Sequence, residues 1–378
     1  MTSRERVLCA LDHRTPDRCP LDLGAGKSCK LTVGAYRKVL DHFGIQEEIR
    51  VQSKSAQTVF ASDTVLERLE SDVRAVFPAF TKKTGAPKEW EDEAYFYFKD
   101  EWGTSLRMPK QDGKYYDMYA FPLAGAGEEQ DAAYPWPEPP GIQPSVLEQA
   151  RTFRAAGYPV TLTENFANGF LQTGPKIFGF EDWLAILAAE EQRARAILDE
   201  LLARKMKYWD NVAAVMGTSL DIVCEMDDLG TQKGPFISPQ MFRSVIKPYY
   251  QTLFPYIKEK TGAKLFMHSC GSIAQLIPDL IDVGVDIISP VQIGADGMEP
   301  SVLKREFGKD VCFWGGGVDT QKTLSIGTPQ QVRDEVKRNV EIWSRDGGYV
   351  FAAVHNIQAN VPIENIVAMW EAFLGVRG

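Results

Sequence analysis

The chain has 378 residues, with 42 Lys and Arg against 51 Asp and Glu, so its formal net charge is −9. This acidic balance argues against general nucleic-acid binding, because neutralising phosphates requires a clustered basic surface. No apolar run approaches the roughly 18 residues of a membrane-spanning helix, and the N-terminus shows no apolar signal segment. With six scattered cysteines, these features predict a cytoplasmic protein with reduced thiols and no membrane or nucleic-acid partner.

From about residue 155, short apolar runs alternate with longer amphipathic stretches. The runs are typical of strands buried on both faces, and the stretches between them are typical of helices. The predicted strands are 158–163, 220–224, 264–267, 286–289, 311–314 and 349–354, and the predicted helices are 181–215, 239–261, 272–283, 299–307 and 328–346. Repeated strand–helix units predict parallel strands with right-handed crossovers. The sequence therefore predicts the α/β class, as a (β/α)8 TIM barrel in which residues 19–23 add a further strand.

Residues 75–150 have a different composition from the rest of the chain. The stretch 90–102 is dense in aromatic and acidic residues, and 134–144 is rich in proline. This segment is interpreted as an antiparallel ribbon with loops, inserted into an elaborated N-terminal region. Because the sequence shows no internal repeat and no long linker, residues 1–378 are predicted to form a single domain.

Polar residues follow the predicted strands, where the active site of a parallel barrel lies. Three carboxylates within four residues, Glu225, Asp227 and Asp228, are the candidate catalytic groups. They would serve as metal ligands or as general acid and base with shifted pKa values, although such residues also cap solvated turns. The candidate substrate-binding residues at other strand ends are Glu164, Asn165, Gln292 and Asn356.

Two of the four histidines also stand at predicted strand ends. His268 and Cys270 are two residues apart just past one strand, and His355 follows the last strand. Zinc binds imidazole nitrogen and thiolate sulfur, and catalytic zinc sites have three protein ligands and one open position. These three residues are therefore candidate zinc ligands. The alternative is a buried cysteine that packs as a small hydrophobe beside a hydrogen-bonded histidine.

Several segments resemble the uroporphyrinogen decarboxylase superfamily. They are DDLGTQKGPFISPQMFRSVIKPYY (227–250), LFMHSCGSI (265–273), DVGVDIISPVQ (282–292), FWGGGVDTQKTLSIGTPQQV (313–332) and GGYVFAAVHNIQANVPIENIVAMWEAF (347–373). The resemblance runs through nearly the whole chain and implies a (β/α)8 barrel, in agreement with the strand–helix alternation.

Two chemistries occur in the superfamily that the chain resembles. The decarboxylases use no metal and hold substrate carboxylates with arginines in a motif similar to R-Q-A-G-R, whereas the matching residues 21–29 contain no arginine. The sequence is more similar to the corrinoid-linked methyltransferases, including the methylcobalamin:coenzyme M methyltransferases. Their zinc ligands are a His-x-Cys pair, matched by His268 and Cys270, and a later Cys, whose position His355 occupies. Where these relatives often have a glutamate after the fourth strand, the chain has Val291 and Gln292.

The resemblance implies a methyl-group transferase of the O-demethylase type. Replacing a thiolate and a carboxylate by neutral groups makes a bound zinc more electrophilic, which suits polarising an ether oxygen. The chain has no D-x-H-x-x-G cobalamin signature, so a separate corrinoid protein is the expected partner beside a small methyl donor or acceptor. One alternative is a metal-free decarboxylase or lyase that uses Asp228 or Asp63. The other is a non-catalytic barrel that binds only a corrinoid partner or ligand.

Overall fold

The computed structural model describes residues 1–78 and 88–378. Its strands are β1 (Val51–Ser53), β2 (Thr58–Val59), β3 (Arg74–Val76), β4 (Lys88–Glu91), β5 (Tyr95–Lys99), β6 (Ser105–Pro109), β7 (Asp117–Ala120), β8 (Val160–Leu162), β9 (Ile222–Met226), β10 (Lys264–His268), β11 (Ile287–Ser289), β12 (Cys312–Trp314) and β13 (Tyr349–Val350). Its α-helices are α1 (Ser3–Leu11), α2 (Val33–Phe43), α3 (Asp63–Arg68), α4 (Glu128–Ala132), α5 (Ser145–Ala155), α6 (Thr173–Phe178), α7 (Phe180–Ala189), α8 (Glu191–Met216), α9 (Pro239–Met241), α10 (Lys247–Thr261), α11 (Ile277–Asp282), α12 (Pro300–Phe307), α13 (Thr323–Ile326), α14 (Pro329–Trp343) and α15 (Ile363–Val376). A π-helical turn (Phe242–Ile246) joins α9 to α10, and a 3-10 turn (Ala274–Leu276) precedes α11.

A curled parallel sheet of seven strands organises the described chain. The strand order is β13-β12-β11-β10-β9-β8-β3, and every neighbouring pair is parallel. All six strands predicted from the apolar runs lie in this sheet, so the predicted mixed α/β architecture with parallel strands is confirmed. Strand β3 was not predicted, because it is only three residues long and begins with the charged Arg74.

The segment around Leu21 touches both edges of this sheet. Leu21 forms an isolated parallel bridge with Phe351, and Asp22 N donates to the Phe351 carbonyl (2.8 Å). On the other side, Asp72 N donates to the Leu21 carbonyl (2.8 Å), just before β3. The strand predicted at 19–23 is therefore present as one isolated bridge next to β13, with a backbone hydrogen bond to Asp72 on the β3 side.

Helix α14 begins at a cap that its own sequence supplies. The Thr328 hydroxyl accepts from Gln331 N, and the Gln331 side chain accepts from Thr328 N, which forms the capping box of α14. The helix predicted at 181–215 is instead two helices, α7 and α8. Glu190 between them leaves the helical conformation (φ −123°, ψ 61°), and the apolar pattern continues across it, so periodicity alone does not reveal the break.

The aromatic segment forms a separate antiparallel sheet in the order β4-β5-β6-β7. One face buries Phe98 and Leu106 against Tyr116, and on another part of the sheet Trp90 stacks on Tyr97 with ring centroids 5.3 Å apart. Residues 79–87 of the predicted ribbon lie outside the described residues. Among the helices of the described chain, none has the length and apolar character needed to cross a membrane.

Candidate metal centre

Strand β10 carries the first predicted ligand to the rim of the parallel sheet. His268 is its last residue and pairs in register with Met226 of β9 and Ser289 of β11. The next residue, Ser269, donates its backbone N–H to the Ser289 carbonyl (2.7 Å). On the other side, Asp227 N donates to the His268 carbonyl (2.9 Å). The chain is thus fixed to both neighbouring strands where the His268 side chain is buried at the rim.

The backbone turns sharply after Cys270, at Gly271. Gly271 has φ +87°, and a Cβ at this position would lie 2.2 Å from the carbonyl oxygen of Gly230. A side chain is disfavoured in this left-handed region and would also clash with the backbone of the adjacent loop. Glycine therefore allows the chain to turn here while the Cys270 thiol stays beside His268.

The three predicted ligands meet at the rim. One ligand atom from each of His268, Cys270 and His355 lies within 4.8 Å of the other two. The Cys270 Sγ to His268 Nε2 distance is 3.5 Å. Tetrahedral zinc with Zn–S and Zn–N bonds of about 2.3 and 2.0 Å separates sulfur and nitrogen by about 3.5 Å. The donor types and this spacing fit zinc, and we call these three residues the ligand cluster.

The surroundings favour uncharged imidazoles in the ligand cluster. Burial lowers the pKa of His268, although the nearby Asp228 carboxylate opposes the shift, and burial likewise lowers the pKa of His355. A neutral imidazole has a free lone pair on one nitrogen, as metal ligation requires. Burial, together with Asp228, raises the pKa of the Cys270 thiol well above its usual range. A bound cation would favour the thiolate at this position.

Glu225 lies in a buried ion pair that faces the helix layer. Its Oε2 is 2.7 Å from Lys205 Nζ on α8, and the two side chains are 1% and 0% exposed. Its Oε1 accepts from Trp209 Nε1 (2.7 Å). Glu225 pairs in register with Met267, the residue before His268. Because successive side chains of a strand point to opposite faces, Glu225 points away from the face that carries the ligand cluster.

Asp227 ties three elements together beneath the rim. Its carboxylate accepts from the backbone N–H groups of Leu171 and Gln172 (2.8 Å each) and from the Tyr250 hydroxyl of α10 (2.5 Å). The side chain is buried, and burial raises its pKa to about 6 despite these hydrogen bonds. These contacts fix the loop after β8 and helix α10 against the end of β9.

Of the three predicted carboxylates, Asp228 lies beside the ligand cluster. Its Oδ1 accepts from Cys270 N (2.9 Å) and is 3.6 Å from His268 Nε2. Its Oδ2 accepts from the Gln172 side chain (3.0 Å), and the Asp228 side chain is 25% exposed. Asp228 is therefore placed to serve as a fourth ligand or to hydrogen-bond a molecule bound at the cluster.

Two predicted substrate-binding residues support the loops of the rim. The Gln292 Oε1 accepts from Gly271 N (2.8 Å), next to Cys270 in the chain. Its amide nitrogen is buried and has no hydrogen-bond partner among the described residues. Asn165 donates its side-chain N–H to the Ala167 carbonyl (2.8 Å) within the loop after β8.

The other two predicted substrate-binding residues contact Lys30. Glu164 Oε1 lies 3.3 Å from Lys30 Nζ and accepts from Gln52 Nε2 (2.8 Å). The Asn356 side-chain oxygen accepts from Lys30 N (2.9 Å). The residues after β8 and after β13 are thus brought together through the segment that follows Leu21.

The sequence model of the uroporphyrinogen decarboxylase family matches residues 152–374, more than half of the chain. The chain belongs to the uroporphyrinogen decarboxylase family. No curated protein matches it in sequence. A methyltransferase from Methanosarcina mazei is similar in structure, with a TM-score of 0.60 and 16% identity over 98% of both chains. A B12-independent methionine synthase from Shewanella sp. W3-18-1 matches with a TM-score of 0.45 and 10% identity, over 95% of this chain and 98% of that chain. At 16% identity the likeness to the Methanosarcina mazei methyltransferase concerns the fold alone.

In this member of the uroporphyrinogen decarboxylase family, the segment after Leu21 adds site residues that the sequence analysis missed. The Ser28 hydroxyl lies 2.9 Å from His268 Nδ1. Lys27 and Lys30 lie close enough to lower the pKa of His268 further, beyond the effect of burial. Residues 19–23 were themselves predicted as a strand, and the active site of a parallel barrel lies where its strands end. Applying this rule to the segment after residue 23 would have included Lys27 and Ser28 among the candidate site residues.

Proposed function

We propose that the protein is a zinc-dependent methyltransferase that moves a methyl group between a small methoxylated substrate and a corrinoid protein, as an O-demethylase does. The observation that carries the proposal is the ligand cluster, in which two imidazoles and a thiol meet at the carboxyl ends of the parallel strands. The similarity in fold to a methyltransferase over nearly the whole chain supports this activity within the family.

His268, Cys270 and His355 are the residues that would hold zinc. Zinc bound there would act as a Lewis acid toward an oxygen of the substrate. Two neutral imidazoles and one thiolate would leave the site with a net positive charge, and Asp228 is the adjacent group that could neutralise it. While Asp228 stays outside the set of zinc ligands, this remaining positive charge favours polarising an ether oxygen over activating a thiol.

The residues around the ligand cluster supply complementary charge and hydrogen bonds. An ether oxygen that loses its methyl group becomes negatively charged, and Lys27 and Lys30 add positive charge near the cluster. The buried amide nitrogen of Gln292 has a free N–H group for an oxygen acceptor. Glu164 and Asn356 hold Lys30 from its side chain and its backbone. We assign these two residues to positioning Lys30 at the substrate.

We also propose that the parallel sheet closes into a complete (β/α)8 barrel. The segment around Leu21, which bridges Phe351 and contacts Asp72, is assigned as the eighth strand that closes a (β/α)8 barrel. Residues 1–378 then form one domain, and 75–150 form an insertion at its N-terminal part. The corrinoid would come on a separate protein that docks at the rim, because the chain lacks the D-x-H-x-x-G signature.

Metal analysis of protein purified without added zinc tests the proposal. We expect near one zinc per chain, lost in His268→Ala and in Cys270→Ala. The matched controls are His42→Ala on α2 and Cys9→Ala on α1, which lie outside the ligand cluster and should retain the metal. With a methoxylated aromatic compound and a reduced corrinoid protein, the absorbance of Co(I) should decay as methyl-Co(III) forms.

Two outcomes would overturn the proposal. A folded, metal-free wild-type protein that remains active on a carboxylate substrate would indicate the decarboxylase or lyase. That reaction would use Asp228 or Asp63. Asp63, at the start of α3, pairs with Arg74 (2.9 Å), and its side chain is 63% exposed. Binding of the corrinoid protein without turnover, despite bound zinc, would indicate the non-catalytic barrel.

A further inference from the structure

Three buried side chains form a hydrogen-bonded chain that ends on the His268 ring. The Ser289 hydroxyl lies 2.8 Å from the Ser28 hydroxyl, and the Ser28 hydroxyl lies 2.9 Å from His268 Nδ1. Ser289 and Ser28 are 0% and 1% exposed, so bulk water does not compete for these contacts. This series of hydrogen bonds ends on Nδ1 of His268, whereas the other ring nitrogen, Nε2, faces Cys270 and Asp228.

The side chains of Asp22 and Asn356 hold the backbone on both sides of Ser28. Asp22 accepts from Gly26 N (2.8 Å) and from Trp314 Nε1 of β12 (2.9 Å). On the other side of Ser28, Lys30 N is bound by the Asn356 side chain. Ser289 is the last residue of β11 and pairs in register with His268. The positions of both hydroxyls relative to the ring are therefore set by the sheet and by an anchored loop.

The two nitrogens of a neutral imidazole have opposite roles, and their roles exchange on metal binding. In the Nε2–H tautomer, Ser289 would donate to Ser28, Ser28 would donate to Nδ1, and the Nε2 proton would face Cys270 Sγ and Asp228 Oδ1, which lie 3.5 and 3.6 Å from Nε2. A metal on Nε2 requires that this nitrogen carry no proton, so Nδ1 must carry it. Nδ1–H then needs an acceptor. Ser28 Oγ is that acceptor once its hydroxyl rotates to donate to Ser289 Oγ.

We propose that Ser28 and Ser289 form a reversible hydroxyl relay that stabilises one tautomer of His268 without metal and the other tautomer with metal. The imidazole stays neutral throughout, because the proton that leaves Nε2 goes to solvent and Nδ1 takes one proton from solvent. Each hydroxyl keeps its own hydrogen and only rotates, and the hydrogen of Ser289 turns away from Ser28. Ser28 and Ser289 are positioning residues, since they act through His268 and do not contact the metal. The inference rests on the proposed zinc function for its metal-bound state only.

Nitrogen-15 NMR of His268 and zinc titration test the relay. In metal-free wild-type protein we expect the Nε2–H tautomer, and with zinc the Nδ1–H tautomer with slow exchange of its proton. Ser28→Ala should lower zinc affinity about 10- to 100-fold in competition with a chromophoric chelator, because partners of a metal-ligating histidine typically contribute this much. Ser289→Ala should cause a smaller loss. Ser71→Ala is the matched control, since Ser71 is also buried and hydrogen-bonds Leu23 N of the same segment.

The relay and the zinc function can fail separately. Zinc affinity of Ser28→Ala within threefold of wild type, or a metal-free wild type already in the Nδ1–H tautomer, would overturn the relay. A loss of zinc affinity that accompanies an equal loss in metal-free thermal stability would also overturn it, because it would show a merely structural role. If the wild type binds no zinc, the methyltransferase proposal fails, whereas the Nε2–H tautomer with Nδ1 hydrogen-bonded to Ser28 would still support the metal-free half of the relay.

Discussion

The Lys205–Glu225 pair allows a sharp test of whether Glu225 holds the fold together or reacts. Lys205 Nζ contacts Glu225 Oε2 (2.7 Å) and donates to the carbonyls of Phe166 (2.9 Å) and Asn168 (3.1 Å) in the loop after β8. All three ammonium hydrogens are thus used inside the protein. Lys205→Met would leave Glu225 as a buried charge without its cation and two carbonyls without a donor.

The expected loss is large because the pair is fully buried. Removing one partner of a buried ion pair costs about 3–5 kcal/mol. With an unfolding entropy of about 2.1 cal/mol/K per residue, a chain of this length should melt about 4–6 °C lower. The matched control is Lys207→Met on the same helix. Lys207 also lies 2.7 Å from a carboxylate, Glu138, but the side chains are 59% and 63% exposed, so its loss should cost less than about 1 kcal/mol.

Thermal and urea unfolding of the purified variants measure the loss of unfolding free energy. Glu225→Gln is measured in the same way, as the second single variant. Combining Lys205→Met with Glu225→Gln removes both charges and should recover part of the lost stability. The reasoning is refuted if Lys205→Met destabilises no more than Lys207→Met. It is also refuted if Glu225→Gln abolishes methyl transfer without changing the unfolding free energy, since that result would make Glu225 a reacting group.

Three further predictions concern buried groups. Tyr250→Phe removes a buried hydroxyl that donates to Asp227, so it should lower the unfolding free energy by about 1.5–3 kcal/mol. Tyr256→Phe removes an exposed hydroxyl that donates to Asp210, so it should change the unfolding free energy by less than about 0.5 kcal/mol. Burial raises the pKa of Asp22 from 3.8 to about 6, so its stabilising contribution is complete below pH 4 and is lost as pH rises through 6. This loss is on the order of 3 kcal/mol and should disappear in Asp22→Asn. Gly271→Ala should abolish zinc binding because of its backbone clash, while Gly375→Ala, with no atom within 4 Å of the added methyl group, should not.

Each of these predictions has a measurement that contradicts it. Equal denaturation midpoints for Tyr250→Phe and Tyr256→Phe would show that burial does not strengthen the first hydrogen bond. An unchanged slope of stability between pH 4 and 6 in Asp22→Asn would assign the pH dependence to other groups. Wild-type zinc content in Gly271→Ala would mean that the loop beside Gly230 moves without affecting Cys270.

The local sequence was sufficient for the parallel strands and for the proximity of His268 and Cys270 at one strand end. Apolar runs placed six strands of the sheet, because a strand buried on both faces leaves a contiguous signature. His268 and Cys270 are two residues apart, so their proximity needs only the strand end and the turn at Gly271. Placing His355 beside them needed one additional rule, that parallel strands end at a common rim.

Tertiary structure decided what each carboxylate contacts and which hydrogen-bond partners His268 and Cys270 have. Glu225, Asp227 and Asp228 are adjacent in sequence, yet one faces the helix layer, one ties loops together and one touches Cys270. The hydrogen-bond partners of these carboxylates come from other parts of the chain. The same is true of His268, whose partner Ser28 lies 240 positions away in the sequence. The strand ends therefore identified the polar residues of the rim, whereas the net charge of −9 located none of them. Only the packing of α8 and of the segment after Leu21 against the sheet separated the buried structural charges from the groups beside the ligand cluster.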